Sequence, residues 1–128
     1  SIKRLLPAAR VIGVEPVGAA SMRKALDEER PVVIKKIDTI ADGLAPVMAG
    51  ELTYEHAFSL MDDVVTVSDD AIREATSLLV SQQKLIVEFS GAAATAALLS
   101  KAVEAEDQRV AVVISGGNLD PTLLAGMA

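Results

Sequence analysis

Val110-Ala111-Val112-Val113-Ile114 is a run of five apolar residues, four of them β-branched. Such a run offers no polar face to water, so it reads as a strand covered on both sides. Strands of that kind belong to parallel sheets with helices packed over them, and the expected fold class is therefore α/β. Ser115 closes the run with a hydroxyl, and Gly116-Gly117 turns the chain before Asn118. In an open parallel sheet, ligands sit at the carboxyl ends of the strands. Two glycines at that edge let the backbone adopt φ > 0 and approach a flat ligand closely. The same pattern also fits a strand followed by a plain tight turn.

Shorter apolar runs at 11–14, 31–34, 64–67 and 85–89 read as further strands. They alternate with helical patterns, which predicts four or five mostly parallel strands in an open sheet with helices on both faces. Ile2-Lys3-Arg4-Leu5-Leu6 looks like the last turn of a helix stopped by Pro7. No strand feeds it, so the chain is expected to start mid-domain; a short native N-terminal helix accounts for the same residues. Further helices are predicted over 18–29, over 54–61 with Thr53 as cap, and from Ser90-Gly91-Ala92-Ala93 to about residue 102. The strongest follows Ser68: Ala71, Ile72, Ala75, Leu78 and Leu79 repeat at helical spacing. A short closing helix over 122–124 is expected after Asp120-Pro121.

The stretch between the second and third of these helices, Asp38-Thr39-Ile40-Ala41-Asp42-Gly43-Leu44-Ala45-Pro46, reads as a loop by its Asp, Gly and Pro content. A loop of that length suits either a functional segment or a surface connection. The chain also echoes itself. Val14-Glu15-Pro16-Val17-Gly18-Ala19-Ala20 and Val87-Glu88-Phe89-Ser90-Gly91-Ala92-Ala93 share the order Val-Glu, two residues, Gly-Ala-Ala. Each puts a carboxylate at a strand end, where it suits a ligand better than a core, and small residues where a helix must lie close to a sheet. Convergence on a good strand-to-helix turn explains the echo without duplication. Right-handed crossovers would bring Glu15, Glu88 and Ser115 to one edge of the sheet.

Composition narrows the function classes. The 128 residues suffice for one domain with a sizeable core. Hydrophobic residues make up 51% but aromatics only 2%, so that core must be built of Ala, Val, Ile and Leu. The net charge of -6 and the lack of a basic stripe argue against a nucleic-acid partner. No apolar run approaches the roughly 18 residues of a membrane span, and no leader pattern opens the sequence, so a cytoplasmic protein is expected. Cysteine is absent, which removes disulfides, thiolate ligands and a cysteine nucleophile. The single histidine, His56, has no cysteine or second histidine to share a metal and reads as a surface residue. Asp69 and Asp70 form a carboxylate pair that helix-end electrostatics explain without acid-base chemistry.

Five stretches carry a resemblance: Val11-Ile12-Gly13-Val14-Glu15-Pro16, Thr39-Ile40-Ala41-Asp42-Gly43-Leu44, Asp62-Asp63-Val64-Val65-Thr66-Val67-Ser68-Asp69, Val87-Glu88-Phe89-Ser90-Gly91-Ala92-Ala93 and Ser115-Gly116-Gly117-Asn118. Each is short, but they occur in family order across nearly the whole chain. Together they resemble the C-terminal part of the catalytic domain of threonine dehydratases and serine racemases, pyridoxal-phosphate enzymes of the tryptophan synthase β-like fold. The resemblance implies the C-terminal part of a fold-type II pyridoxal-phosphate large domain, partial over 1–128. It implies cofactor-binding roles for Ser115 (at the pyridine nitrogen), Gly116 (room for the ring), Glu88 (near the ring) and Gly43 (loop backbone close to the cofactor). In the racemase branch, Glu15 and the carbonyl of Ala19 match ligands of a divalent cation, Mg or Ca. Ser21 stands where that branch has a second carboxylate, and a lost charged oxygen weakens a hard-cation site.

The same resemblance implies what is missing. The family's Schiff-base lysine and glycine-rich phosphate loop lie upstream of the matching region. Lys3, Lys24, Lys35, Lys36, Lys84 and Lys101 all fall outside the lysine motif. No catalytic residue is therefore expected here, and the chain alone should be inactive, its partner being the N-terminal part of the same enzyme. The implied whole enzyme converts L-threonine to 2-oxobutanoate and ammonia and extends to L-serine. A serine racemase, a hydroxyaspartate dehydratase and a non-catalytic α/β binding module are the alternatives. A partial domain exposes a strand edge and an apolar face, so self-association into a homo-oligomer is expected.

Overall fold

The computed structural model describes residues 2–120 and residue 122. Two parallel strands form its sheet, β1 over Ile12–Pro16 and β2 over Asp63–Val67. Their register pairs Ile12 with Asp63 and Pro16 with Val67. Parallel neighbours need a long crossover. Here it comprises a 3-10 turn over Val17–Ala19, helix α2 over Ser21–Asp27, a loop with a second 3-10 turn over Asp42–Leu44, and helix α3 over Glu51–Leu60. Helix α1, Ile2–Leu5, precedes β1, and helices α4, Asp69–Ser81, and α5, Phe89–Leu99, follow β2. The result is a mixed α/β structure with a parallel sheet, the class that the apolar runs imply. Among the described residues no helix is long and apolar enough to cross a membrane.

α4 forms for the reasons its sequence advertises. Ser68 is its N-cap, and its hydroxyl oxygen accepts the Ala71 N–H at 3.2 Å. Ile72, Ala75, Thr76 and Leu79 lie on one buried stripe. The Thr76 hydroxyl, fully buried, donates to the Ile72 carbonyl at 2.9 Å, and among the described residues no buried side-chain polar atom lacks a partner. α5 buries Gly91, Ala92, Ala93, Ala96 and Ala97, a surface of small residues that lets α4 approach closely. The main apolar cluster joins these two helices to Val67, Val87 and Ala41, with Val14 and Val65 packed against it. Val64, the alternate residue on β2, is buried outside that cluster, as the period of two requires.

Several predicted elements do not form. The described residues hold two strands rather than four or five, and neither 85–87 nor 110–114 enters a ladder. Val110, Val113 and Ile114 are 48%, 75% and 41% exposed rather than buried. β-branching favours a pleated backbone, but a strand also needs a neighbour to pair its N–H and C=O groups, and no described residue supplies one to this run. Residues 31–34 form no strand either; the Ile34 N–H donates to the Val47 carbonyl at 2.8 Å, a tie between loops. α3 starts behind Gly50, not Thr53. The helix expected over 18–29 divides into the first 3-10 turn and α2. Phe89, expected at the end of a strand, opens α5, which ends at Leu99. The closing helix predicted over 122–124 lies outside the described residues apart from Thr122.

Candidate functional site

The first turn of α5 is the place where distant stretches meet. Glu88 is its N-cap residue, yet its side chain makes no capping hydrogen bond. A glutamate is one carbon longer than the residues that fold back onto a helix end well. Its backbone instead reaches the diglycine, the Glu88 N–H donating to the Gly116 carbonyl at 3.1 Å. Gly116 has φ of 78°, a left-handed backbone that favours glycine. A Cβ placed there would also run into the Glu88 carboxylate. Three residues after Glu88, a Cβ on Gly91 would collide with the backbone carbonyl of Ser115. The missing side chain at Gly91 is thus what allows Ser115 to lie against the helix.

Gly43 reaches the same turn through Ser90. Its N–H donates to the Ser90 hydroxyl oxygen at 2.9 Å and to Asp42 Oδ1 at 2.8 Å. A Cβ on Gly43 would press on Ser90 at 2.9 Å from Oγ and 3.1 Å from Cβ. Two separate stretches, the loop at Gly43 and residues 115–116, therefore converge on residues 88–91: Glu88 meets Gly116, Ser90 meets Gly43, and Gly91 meets Ser115. Ser115 is exposed and Glu88 half-buried, and neither side chain has a hydrogen-bond partner among the described residues. A hydroxyl and a carboxylate without protein partners, beside glycines that leave the backbone bare, can accommodate a flat heteroaromatic group. These residues fit such a group.

Glu15, placed by its sequence on the same footing as Glu88, is occupied differently. Its Oε1 accepts the Met22 N–H at 2.8 Å and its Oε2 the Arg23 N–H at 2.8 Å, with the Ser21 hydroxyl 3.5 Å from Oε1. The carboxylate thus satisfies the first turn of α2. The Arg23 guanidinium stands among carboxylates. Its hydrogen bond to Asp27 raises its pKa most, and Asp63 and Glu15 add to the rise. Ala19 is fully buried. One carboxylate already holding amides, beside a serine donor and a guanidinium, is a donor set that does not fit a hard divalent cation. Among the described residues no group of three or more His, Cys, Asp and Glu side chains is arranged to hold a metal ion. His56 is exposed, its Nδ1–H donating to the Leu52 carbonyl at 2.8 Å.

The single-edge arrangement expected for Glu15, Glu88 and Ser115 does not form as drawn. Glu88 and Ser115 come together outside the two-stranded sheet, while Glu15 sits on β1 and is bound to α2. Two residues are not singled out for the site by sequence: Ser90 and Gly91. Gly91 had a signal, since it occupies the same place as Gly18 in the echoed pattern. A Cβ on Gly18 would likewise collide with a later carbonyl, that of Asp38. The glycine of each pattern admits a backbone arriving from further along the chain, rather than a helix settling on a sheet.

Residues 1–116 match the family model described as pyridoxal-phosphate dependent enzyme. The chain is 36% identical over 124 residues to the L-threonine ammonia-lyase of Thermotoga maritima, covering 97% of this chain and 31% of that protein. Its structure superposes on the processed threonine deaminase isoform 2 of Solanum lycopersicum with a TM-score of 0.86 at 33% identity, covering 98% of this chain and 37% of that one. Against maize serine racemase the TM-score is 0.87 at 33% identity, covering 97% and 40%. The fold shared with these proteins is that of fold-type II enzymes, and the chain spans between about a third and two fifths of their length. With a family model that matches residues 1–116, this chain belongs to the pyridoxal-phosphate-dependent enzyme family.

Proposed function

We propose that this chain is the ring-holding part of the large domain of an ammonia-lyase that converts L-threonine to 2-oxobutanoate and ammonia and also accepts L-serine. The observation that carries the reading is the convergence of Glu88, Ser115, Gly116 and Gly43 on the first turn of α5. In this reading the Ser115 hydroxyl holds the ring nitrogen, Gly116 leaves room for the ring, Glu88 flanks it, and the Gly43 backbone lies beside it. The cofactor supplies an electron sink, which a neutral serine partner makes weaker than a carboxylate would, and that suits elimination with a leaving hydroxide. The lysine that binds the cofactor and the phosphate loop belong to the remainder of the enzyme, so residues 1–128 act as a partial domain. Similarity to the Thermotoga ammonia-lyase and the tomato threonine deaminase favours threonine elimination. Similarity to maize serine racemase keeps racemisation as the second reading. The occupied Glu15 carboxylate weighs against a cation-dependent form of it.

The exposed apolar residues Leu85, Ile86, Val110, Val113 and Ile114 are where the remainder of the enzyme would pack. The test is to mix the chain with the complementary piece of the enzyme and pyridoxal phosphate, then follow cofactor absorbance and ketoacid release. The expected result is a tight complex that consumes L-threonine, with the Ser115→Ala variant losing most of the rate. A complex that binds cofactor yet releases no ketoacid from L-threonine or L-serine overturns the assignment. Without the complementary piece, the chain is expected to self-associate at high concentration in the ultracentrifuge.

A further inference from the structure

Asp69 and Asp70 are adjacent carboxylates in the first turn of α4, and electrostatics at a helix end treats them alike. The structure does not. Asp70 is exposed and makes no hydrogen bond or ion pair among the described residues. Asp69 is half-buried and holds a loop 29 and 30 residues away: its Oδ1 accepts the Thr39 hydroxyl at 2.6 Å and its Oδ2 accepts the Ile40 N–H at 3.0 Å. The Thr39 oxygen in turn accepts the Ala41 N–H at 3.1 Å. Ala41 is fully buried, and its carbonyl accepts the Leu44 N–H at 2.9 Å across the 3-10 turn that contains Gly43. The end of α4 does not need Asp69 for capping, because Ser68 already provides the cap.

We infer that Asp69 is a positioning residue for the cofactor-facing loop: it sets the Gly43 backbone from the α4 side while Ser90 holds it from the α5 side. This rests on the reading of Gly43 given above. Both grips come from the first turns of helices that pack along each other, so the loop is registered to the same rigid pair that carries Glu88 and Gly91. A carboxylate suits the task because two oxygens serve a hydroxyl and an amide at once, and charge-assisted bonds are the stronger kind.

The test compares Asp69→Ala, Asp69→Asn and Asp70→Ala by amide hydrogen exchange on the chain and by cofactor affinity in the complex with the complementary piece. Asp69→Ala should speed exchange at Ile40, Ala41 and Gly43 by about tenfold or more, the loss of roughly one charged hydrogen bond. It should weaken cofactor binding by a similar factor. Asp69→Asn should fall between, and Asp70→Ala should leave both readouts unchanged. Should Asp69→Ala fail to fold, Thr39→Val cuts the same bridge with little change of volume, and Thr39→Ser should restore it. Equal loop exchange in the Asp69→Ala and Asp70→Ala chains would overturn the inference. Faster exchange with unchanged cofactor affinity would uphold the grip but overturn Gly43 as a cofactor neighbour, and so separates this proposal's failure from that of the site.

Discussion

Two turns with one sequence pattern have come to different ends. In both, a Val-Glu pair is followed two residues later by Gly-Ala-Ala, and in both the glycine lies under a carbonyl delivered from further along the chain: Asp38 over Gly18, Ser115 over Gly91. The glutamates part company because the helices start at different distances. A 3-10 turn separates Glu15 from α2, which leaves its carboxylate facing the free amides of Met22 and Arg23. α5 begins at the residue after Glu88, so that carboxylate is too close to fold back and stays without a partner. A shift of a few residues in where a helix begins thus turns one glutamate into a structural cap and leaves the other without a partner among the described residues.

Substitutions at the two glycines should have the largest effects. Gly18→Ala and Gly91→Ala each force a methyl into a backbone carbonyl. Each should cost about 1–3 kcal/mol or more in urea unfolding. Only Gly91→Ala should also abolish cofactor binding in the complemented enzyme. Equal cofactor affinity in both variants would erase the distinction between the turns.

The glutamates come next. Glu15→Ala strips two amides of their acceptor and should cost about 1–2 kcal/mol. Glu88→Ala should change unfolding by less than about 0.5 kcal/mol, while weakening cofactor affinity. The reverse ranking would mean that Glu88 has a structural role the geometry does not contain.

The smallest effect belongs to neither turn and sets the background against which they are compared. Asp62 accepts hydrogen bonds from the Lys3 ammonium at 2.8 Å and the Val11 N–H at 2.6 Å, and these hold its carboxyl below the usual range. A carboxylate whose folded value lies below its unfolded one stabilises above roughly pH 4 and loses that contribution as the pH falls through the folded value. Thermal unfolding from neutral to acid pH should therefore show a gentle loss, flattened in the Lys3→Ala chain. An unchanged acid limb in that variant would remove Asp62 from the account.

How much was legible depends on the distance over which a signal acts. The stripe of Ile72, Ala75 and Leu79, the Ser68 cap, and the strands at Val14 and Val65 were readable because each depends on neighbours within a few residues. The run at 110–114 reads as a buried strand yet lies largely exposed outside the sheet, because β-branching marks a backbone preference and carries no record of its partner. For the candidate site, the resemblance points to Ser115, Gly116, Glu88 and Gly43, and the echoed pattern marks Gly91, but spacing carries no hint of Ser90. Asp69 was hidden by a sufficient local explanation. Its position at a helix start accounted for its charge, and only the fold brings Thr39 and Ile40 within reach.

By itself the sequence determined a helix-and-strand chain with a core of small aliphatic residues, and it placed glycines where backbones would have to cross closely. Only the tertiary structure decided which carboxylate would be spent on a helix end, which would stay open, and which loop would be tied to which helix. The reason is one of range. Periodicity and capping act within a turn or two of chain, whereas a hydrogen-bond partner 29 or 30 residues away exists only once packing has set the distance between them.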